Sequence, residues 1–254
     1  MNFTRAIVRK PGVSFISGIT TANLGVPDHE KAIQQHGAYV NALARCGLEV
    51  DVLEASEDYP DAVFVEDTAL LIAKCAIITN PGAPSRKGEV VDIEHAVRKY
   101  YTHVERIMPP GTVDAGDILM VGNHFYIGIS GRTNEAGAAQ VIAILREYGM
   151  SGSTIQMTYG LHLKSSLAYL GYNTLVVSGD LMLHHELEKF EVIEVPEEES
   201  YAANCVRIND TVLMPTGFAV TKERISSAGY NIIETDVSEF RKLDGGVSCL
   251  SLRF

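Results

Sequence analysis

The sequence predicts an α/β fold in which hairpin–helix–strand units repeat along the chain and close into a ring through the two terminal strands. Three observations carry this. A hairpin pattern recurs four times, at 64–82, 112–130, 161–179 and 201–218. Helical patterns and then a further strand follow most of the hairpins. One β run at each end of the chain, 6–11 and 246–254, has no partner next to it in sequence.

In order along the chain, AIVRKP (6–11) is the first strand, and DHEKAIQQHGAYVNALARCG (28–47) reads as a helix with Asp28 as N-cap and Gly47 as its stop. LEVDVLEA (48–55) is a strand. The first hairpin turns at Ala73-Lys74, and GEVVDIEHAVRKYY (88–101) is helical before the strand HVERIMP (103–109). The second hairpin turns at Gly122-Asn123. It leads into TNEAGAAQVIAILREYG (133–149), whose Ala138, Val141, Ile142 and Leu145 fall on one helical face. The third turns between Gly171 and Asn173 and is followed by a short polar helix, LHHELEKF, and the strand FEVIEVP (190–196). His184 and His185 read as surface, and EVPEEESY (194–201) as a solvated loop. The fourth turns at Asn209-Asp210, before a weak helix, TKERISSAGY (221–230), and the strand YNIIETD (230–236). Alternating apolar runs joined by short polar turns are the hairpin signature. Recurrence at roughly 37 to 50 residues is the period of a repeated supersecondary unit. Pairing of 6–11 with 246–254 would remove both free sheet edges. With no linker-like composition break, residues 1–254 are expected to form a single domain.

Composition narrows the function. At 254 residues, with 46% hydrophobic and 21% charged residues, the chain can bury a real core. No run approaches a membrane span, no apolar signal core opens the chain, and a cytoplasmic protein is expected. The four cysteines, Cys46, Cys75, Cys205 and Cys249, lie far apart without metal-type spacing, so reduced thiols are expected rather than disulfides or a structural metal. A net charge of −11 without a Lys/Arg cluster argues against nucleic acid as a partner. It suits a cationic small substrate, or plain solubility.

A closed ring would gather the first residues of each hairpin near its axis: Glu66 and Asp67, Asp114 and Asp117, His162, Asn204 and finally Cys249. A thiol, an imidazole and carboxylates in one place make a nucleophile, a general acid/base and groups that hold a cation. Each has a bland alternative: a small core cysteine, a hydrogen-bonded structural histidine, turn-forming aspartates in DAGD. What lifts them above it is their shared register. Arg86 and Arg132 also match, each lying between a hairpin and a helix. They read either as solvated charge or as paired guanidinium groups for a carboxylate.

FVED (64–67), NPGAPSR (80–86), RTN (132–134), GLHLKS (160–165), AANC (202–205) and DGGVSC (244–249) closely resemble the dimethylarginine dimethylaminohydrolases, in order and over essentially the full chain. The resemblance implies a five-bladed pseudosymmetric α/β propeller of ββαβ units. It implies hydrolysis of Nω-methylated L-arginines to L-citrulline and methylamine or dimethylamine, with no metal and no organic cofactor. The implied partner is the small methylated arginine, with no nucleic acid and no membrane, and a homodimer as the candidate assembly. By motif, Cys249 is the nucleophile, His162 the general acid/base and Asp114 the acidic member, where some bacterial members carry glutamate. Asp67 would hold the guanidinium with Glu66 beside it, Asp61 the α-amine, and Arg86 and Arg132 the α-carboxylate. The Leu243 carbonyl and Asp244 would line the pocket, and Ile19 of SGIT (17–20) would sit in a mobile lid.

Arginine deiminases and amidinotransferases share the Cys, His and acid. Their histidine motif resembles His-x-Asp, with the aspartate on the far guanidinium nitrogen, whereas this chain has His162-Leu163-Lys164. A dimethylated nitrogen has no N–H to donate, so a missing carboxylate fits a methylated substrate. A related propeller also serves a ribosome anti-association factor that does no chemistry. That reading gives no reason for Cys249, His162 and Asp114 to fall together.

Overall fold

The computed structural model describes residues 2–158 and 160–254. Its elements follow in chain order. β1 (Arg5–Arg9) leads through α1 (His29–Arg45) to β2 (Glu49–Leu53). β3 (Ala69–Ile72) and β4 (Cys75–Ile78) form the first hairpin, followed by α2 (Val90–Val97) and β5 (Val104–Arg106). β6 (Ile118–Val121), β7 (His124–Ile129), α3 (Glu135–Glu147) and β8 (Ser151–Gln156) repeat the pattern. So do β9 (Leu167–Gly171), β10 (Thr174–Val177) and β11 (Glu191–Glu194), then β12 (Val206–Ile208), β13 (Thr211–Pro215), α4 (Ala219–Ser227) and β14 (Asn231–Thr235). A short α5 (Ser238–Arg241) precedes β15 (Leu252–Arg253).

These strands make five three-stranded sheets, ordered β15-β1-β2, β3-β4-β5, β6-β7-β8, β9-β10-β11 and β12-β13-β14. In each, the first two strands pair antiparallel and the second and third pair parallel. The parallel step needs a crossover, and a helix supplies it in four of the five sheets. The first strand of every sheet faces the axis, so five strand edges surround one central space. Closure comes where the sequence placed it: Ala6 pairs with Arg253 and Ile7 with Leu252. This is the α/β propeller-like ring expected of the sequence.

The ring holds its C-terminus through α1. Asp28 caps the helix by accepting from the Lys31 N–H at 3.0 Å, a contact worth about 1 kcal/mol. The helix then buries Ala32, Tyr39 and Leu43 completely. The Tyr39 hydroxyl donates to the Val247 carbonyl at 2.7 Å and lies 2.7 Å from Ser251 Oγ. The last residues are therefore tied on both sides of position 249.

Several expectations need correction. Residues 246–251 do not continue the terminal strand: β15 is only Leu252–Arg253, and Cys249 lies in the tight turn before it. β8 was not foreseen, because SGSTIQ is mostly polar and half exposed, with only Ile155 fully buried. It is a strand because its backbone pairs with β7, which hydrophobic periodicity does not record. The third crossover is two short 3-10 turns, Gly179–Leu183 and His185–Leu187, instead of an α-helix. The 194–201 run is not simply a solvated loop. Glu197–Ala203 forms a 3-10 helix, with Glu199 accepting from the Val220 and Thr221 N–H groups at the start of α4.

Candidate active site

Every first strand is entered through a tight polar turn: Val65–Thr68, Ala115–Asp117, Leu163–Ser165, Glu197–Ala203 and the turn around Cys249. This shared entry is the structural reason for the common register. Five irregular turns meet at one end of the ring. They bring together Asp67, Asp114, His162 and Cys249, all buried.

His162 Nε2 lies 3.1 Å from Asp114 Oδ2, and Nδ1 lies 3.8 Å from Asp67 Oδ1. Burial alone would strip the imidazolium of its proton. The Asp67 charge, the Asp114 hydrogen bond and the nearby Asp117 outweigh it and raise the pKa to about 9. Asp67 moves the other way: burial opposes its charge, but His162 and Arg86 hold it down to about 2. At neutral pH the centre is thus an imidazolium between carboxylates. Asp67, Asp114 and His162 could offer ligand atoms within 4.8 Å of one another. A metal there would compete with the proton for the imidazole lone pair.

The Cys249 thiol is pushed up to about 12, first by burial and then by the charges of Glu66 and Asp67. The Gly246 N–H points at Sγ at 3.4 Å and partly opposes this. An unliganded thiol is therefore a protonated and poor nucleophile until a cation arrives beside it.

The surrounding turns are cross-braced. Asp114 Oδ1 accepts from the Gly82 N–H at 2.8 Å, and its own N–H donates to Thr133 Oγ1 at 3.1 Å. Asp117 does not line the pocket. It accepts from the Leu163 N–H at 2.9 Å and from Ser130 Oγ at 2.7 Å, fixing the turn that carries His162. Asn204 donates to the Lys164 carbonyl and to Ser248 Oγ and accepts from the Ser248 N–H, joining the His162 turn to the Cys249 turn. Gly116 donates its N–H to Asp67 Oδ1 at 3.0 Å, and a Cβ there would stand 2.6 Å from that oxygen and 2.8 Å from His162 Nδ1. At Gly82 a Cβ would meet the Arg132 backbone at 2.3 Å. Neither glycine stood out in the sequence, although each lies inside a motif that did: DAGD and NPGAPSR.

The predicted binding residues divide. Ile19, Asp61, Asp67, Arg86, Arg132, His162, Leu243, Asp244 and Cys249 line one narrow cavity of about 30 Å³. Asp61 accepts from the Ile19 N–H at 3.0 Å, and burial raises its pKa. Asp244, in the left-handed region at φ 60, accepts from the Thr21 N–H at 2.6 Å and Thr21 Oγ1 at 3.0 Å. The 18–21 segment is thus held down over the cavity at two points. Glu66 does not line it. Its carboxylate is taken up by Ser248 Oγ at 2.8 Å, Lys164 Nζ at 2.9 Å and Arg253 Nη2 at 2.7 Å.

The two arginines also differ. Arg86 donates to Asp67 at 2.6 Å, to Glu89 through Nε and Nη2, and to the Asp61 and Phe64 carbonyls. Burial opposes its charge, but Asp67 and Glu89 keep it firmly protonated. Glu89 itself is raised by burial to about 7. Sequence reasoning missed Glu89; its spacing of three from Arg86 was the available signal. Arg132 Nη1 is buried without a hydrogen-bond partner among the described residues, 3.7 Å from Asp114 Oδ2. It is the free donor of the pocket.

A masked thiol, a charged imidazolium, two carboxylates and a guanidinium whose Nη1 makes no hydrogen bond among the described residues suit a ligand that is cationic at one end and anionic at the other. Comparison with known proteins gives the same direction. A family model described as N,N dimethylarginine dimethylhydrolase, eukaryotic, matches residues 26–252. The chain is 53% identical over 253 residues to N(G),N(G)-dimethylarginine dimethylaminohydrolase of Pseudomonas aeruginosa, covering 99% of this chain and 100% of that one. Its structure matches that of a cysteine-to-serine variant of the Pseudomonas aeruginosa protein complexed with citrulline, with a TM-score of 0.99, 52% identity and 100% of both chains covered. It also matches a histidine-to-glycine dimethylarginine dimethylaminohydrolase in an adduct with S-methyl-L-thiocitrulline, with a TM-score of 0.98, 52% identity, and 99% and 100% covered.

Proposed function

The chain belongs to the dimethylarginine dimethylaminohydrolase family, and from that premise we infer that it hydrolyses Nω-methylated L-arginines to L-citrulline and methylamine or dimethylamine through a covalent thiouronium on a cysteine. The observation that carries this is a buried thiol, kept protonated by burial and nearby carboxylate charge, in one cavity with Asp67 and His162. A guanidinium brings the cation that would offset that charge. Its carbon is a weak electrophile because its charge is spread over three nitrogens, so fixing it against the sulfur matters more than activating it.

The residue roles follow from the site. Asp67 and Asp114 hold the guanidinium, and its charge next to Cys249 offsets the carboxylates that keep the thiol protonated. The thiol proton passes to water as the bound cation favours the thiolate, and Sγ adds to the guanidinium carbon. His162, charged at neutral pH, donates a ring proton to the departing dimethylamine as the carbon–nitrogen bond breaks. The planar thiouronium remains, and the neutral imidazole now takes a proton from water. The resulting hydroxide adds to the same carbon, the carbon–sulfur bond breaks, and citrulline leaves with the thiol restored. Only these side chains and water enter the steps.

The free Nη1 of Arg132 takes the substrate α-carboxylate, with Arg86 beside it, and Asp61 takes the α-amine. Arg86 also aligns Asp67, since its guanidinium is already divided between Asp67 and Glu89. Glu66 acts behind the nucleophile through Ser248. A cavity of about 30 Å³ has room for a water or two, not an amino acid. The segment carrying Ile19 must therefore lift from Asp61 and Asp244, whose neighbour Leu243 completes the wall, to admit the substrate. The whole of 1–254 acts as one catalytic domain, because β1 and β15 come from opposite ends of the chain and close one sheet. No helix among the described residues is long and apolar enough to cross a membrane. Four free thiols suit a reducing, cytoplasmic setting, and a homodimer is the assembly to look for by sedimentation.

The direct test is citrulline release from asymmetric dimethylarginine, with arginine in parallel. Turnover of the methylated substrate alone supports the reading. A preference for arginine would move the protein toward the deiminases.

A further inference from the structure

The inner strands enclose a second space that the reaction above does not use. It is a cavity of about 560 Å³, within the range of small-molecule pockets. Tyr172, 79% exposed, and the hairpin turns at Gly122 and Asp210 mark its mouth. Its floor is the buried group of Glu66, Lys164, Ser248 and Arg253. The floor residues adjoin catalytic ones in sequence: Glu66 precedes Asp67, and Ser248 precedes Cys249.

Charge decides what the floor would accept. Two cations, Lys164 and Arg253, share the single Glu66 carboxylate, at 2.9 and 2.7 Å. Their side chains are only 16% and 11% exposed. The floor therefore carries one uncompensated positive charge, in a chain whose net charge is −11. A buried excess charge is costly unless paired. Lys164 makes one ion pair through Nζ, and an ammonium has three donors, so it can hold Glu66 and a second acceptor at once. Above the floor the walls change character: Leu70, Met120, Tyr169 and Val206 line the space and are only half-buried.

We propose that this rear cavity binds a small monocarboxylate with an apolar body, its carboxylate on Lys164 with the Arg253 charge behind it, and its body against Met120 and Tyr169. The site is separate from the Cys249 pocket, and the proposal goes beyond the hydrolase reading without depending on it. Two cations around one carboxylate favour an acid over an amine. The apolar walls favour a chain-bearing acid over inorganic anions.

Octanoate is the probe, titrated by calorimetry into the full protein, with octylammonium as the charge-inverted control of equal length. Saturable octanoate binding is expected, with octylammonium at least tenfold weaker. Lys164→Met should weaken octanoate at least tenfold. Met120→Trp, which narrows the cavity without touching its charges, should do the same if Lys164→Met fails to fold. Arg132→Met, at the opposite pocket, should leave octanoate binding unchanged. No saturable binding, meaning a cavity that holds water only, overturns the proposal. So does equal binding of octylammonium, indifference to both Lys164→Met and Met120→Trp, or loss in Arg132→Met, which would place the carboxylate at the catalytic end.

Discussion

The inner strands of the ring have two ends, built from one repeat and opposite in character. At one end the chain reverses in tight turns, Ala73-Lys74, Gly122-Asn123, Tyr172-Asn173 and Asn209-Asp210. Gly122, Tyr172, Asn173 and Asn209 there adopt positive φ between 50 and 62. Most such turns are solved locally by residue type and water; Asn209 is the exception, its side chain bonding the Phe3 and Cys46 backbone. At the other end Asp67, Asp114, His162 and Cys249 are buried, and no local arrangement could satisfy them. Their partners come from afar, His162 to Asp114 across 48 residues and Glu66 to Ser248 across 182. Change is tolerated at the end whose polar groups face water and punished at the end whose polar groups have only one another.

The largest break in that contrast is Cys249→Ser. It should abolish citrulline formation, by more than about a thousandfold, while the thermal transition stays in place, because a serine fits the same turn. Activity within tenfold of wild type would end the covalent reading.

Next comes pH. The pKa of His162 is raised to about 9 from 6.5. Its ion-paired contribution is therefore fully present below pH 6.5 and is lost as pH rises through about 9. Turnover should fall on the alkaline side near that value, together with part of the stability, and His162→Asn should lower turnover by about 10²–10⁴ and remove the limb. Alkylation of Cys249 in the free protein should keep rising beyond pH 10, since its thiol is pushed up to about 12. A plateau below pH 8 would show that the free thiol needs no cation to ionise.

Smaller is Arg132→Met. Losing one charge-assisted hydrogen bond of about 1.5–3 kcal/mol predicts a KM rise of roughly 10- to 150-fold with kcat little changed. A fall in kcat alone would place Arg132 at the reacting carbon instead. The smallest effect belongs at the rear. Asn173→Ala, at φ 62, should lower stability by about 1 kcal/mol and leave kcat/KM untouched. Measurable loss of kcat there would break the separation between the two ends.

The same division governs what could be read in advance. All four hairpin turns, α1 with its Asp28 cap and the pairing of the chain ends were legible, because alternation, turn residues and caps act over a few neighbours. β8 was not, since its polar SGSTIQ is recruited by the β7 backbone alone. Cys249, His162 and Asp114 were found by register and motif, but not the turn that holds Cys249 or the glycines at 82 and 116, whose necessity exists only once another turn packs against them.

The sequence by itself determined the repeat, the closure and the kinds of groups that gather at the axis, for these depend on local pattern and on the order of units along the chain. Only the tertiary structure decided which of those groups face the Cys249 pocket. It turned Glu66 away to Lys164 and Arg253, divided Arg86 between Asp67 and Glu89, and gave Arg132 only a 3.7 Å ion pair to Asp114, with Nη1 making no hydrogen bond among the described residues. The reason is electrostatic: each buried charge is settled by whichever opposite charge folding brings within about 4 Å, and adjacency along the chain does not fix that choice.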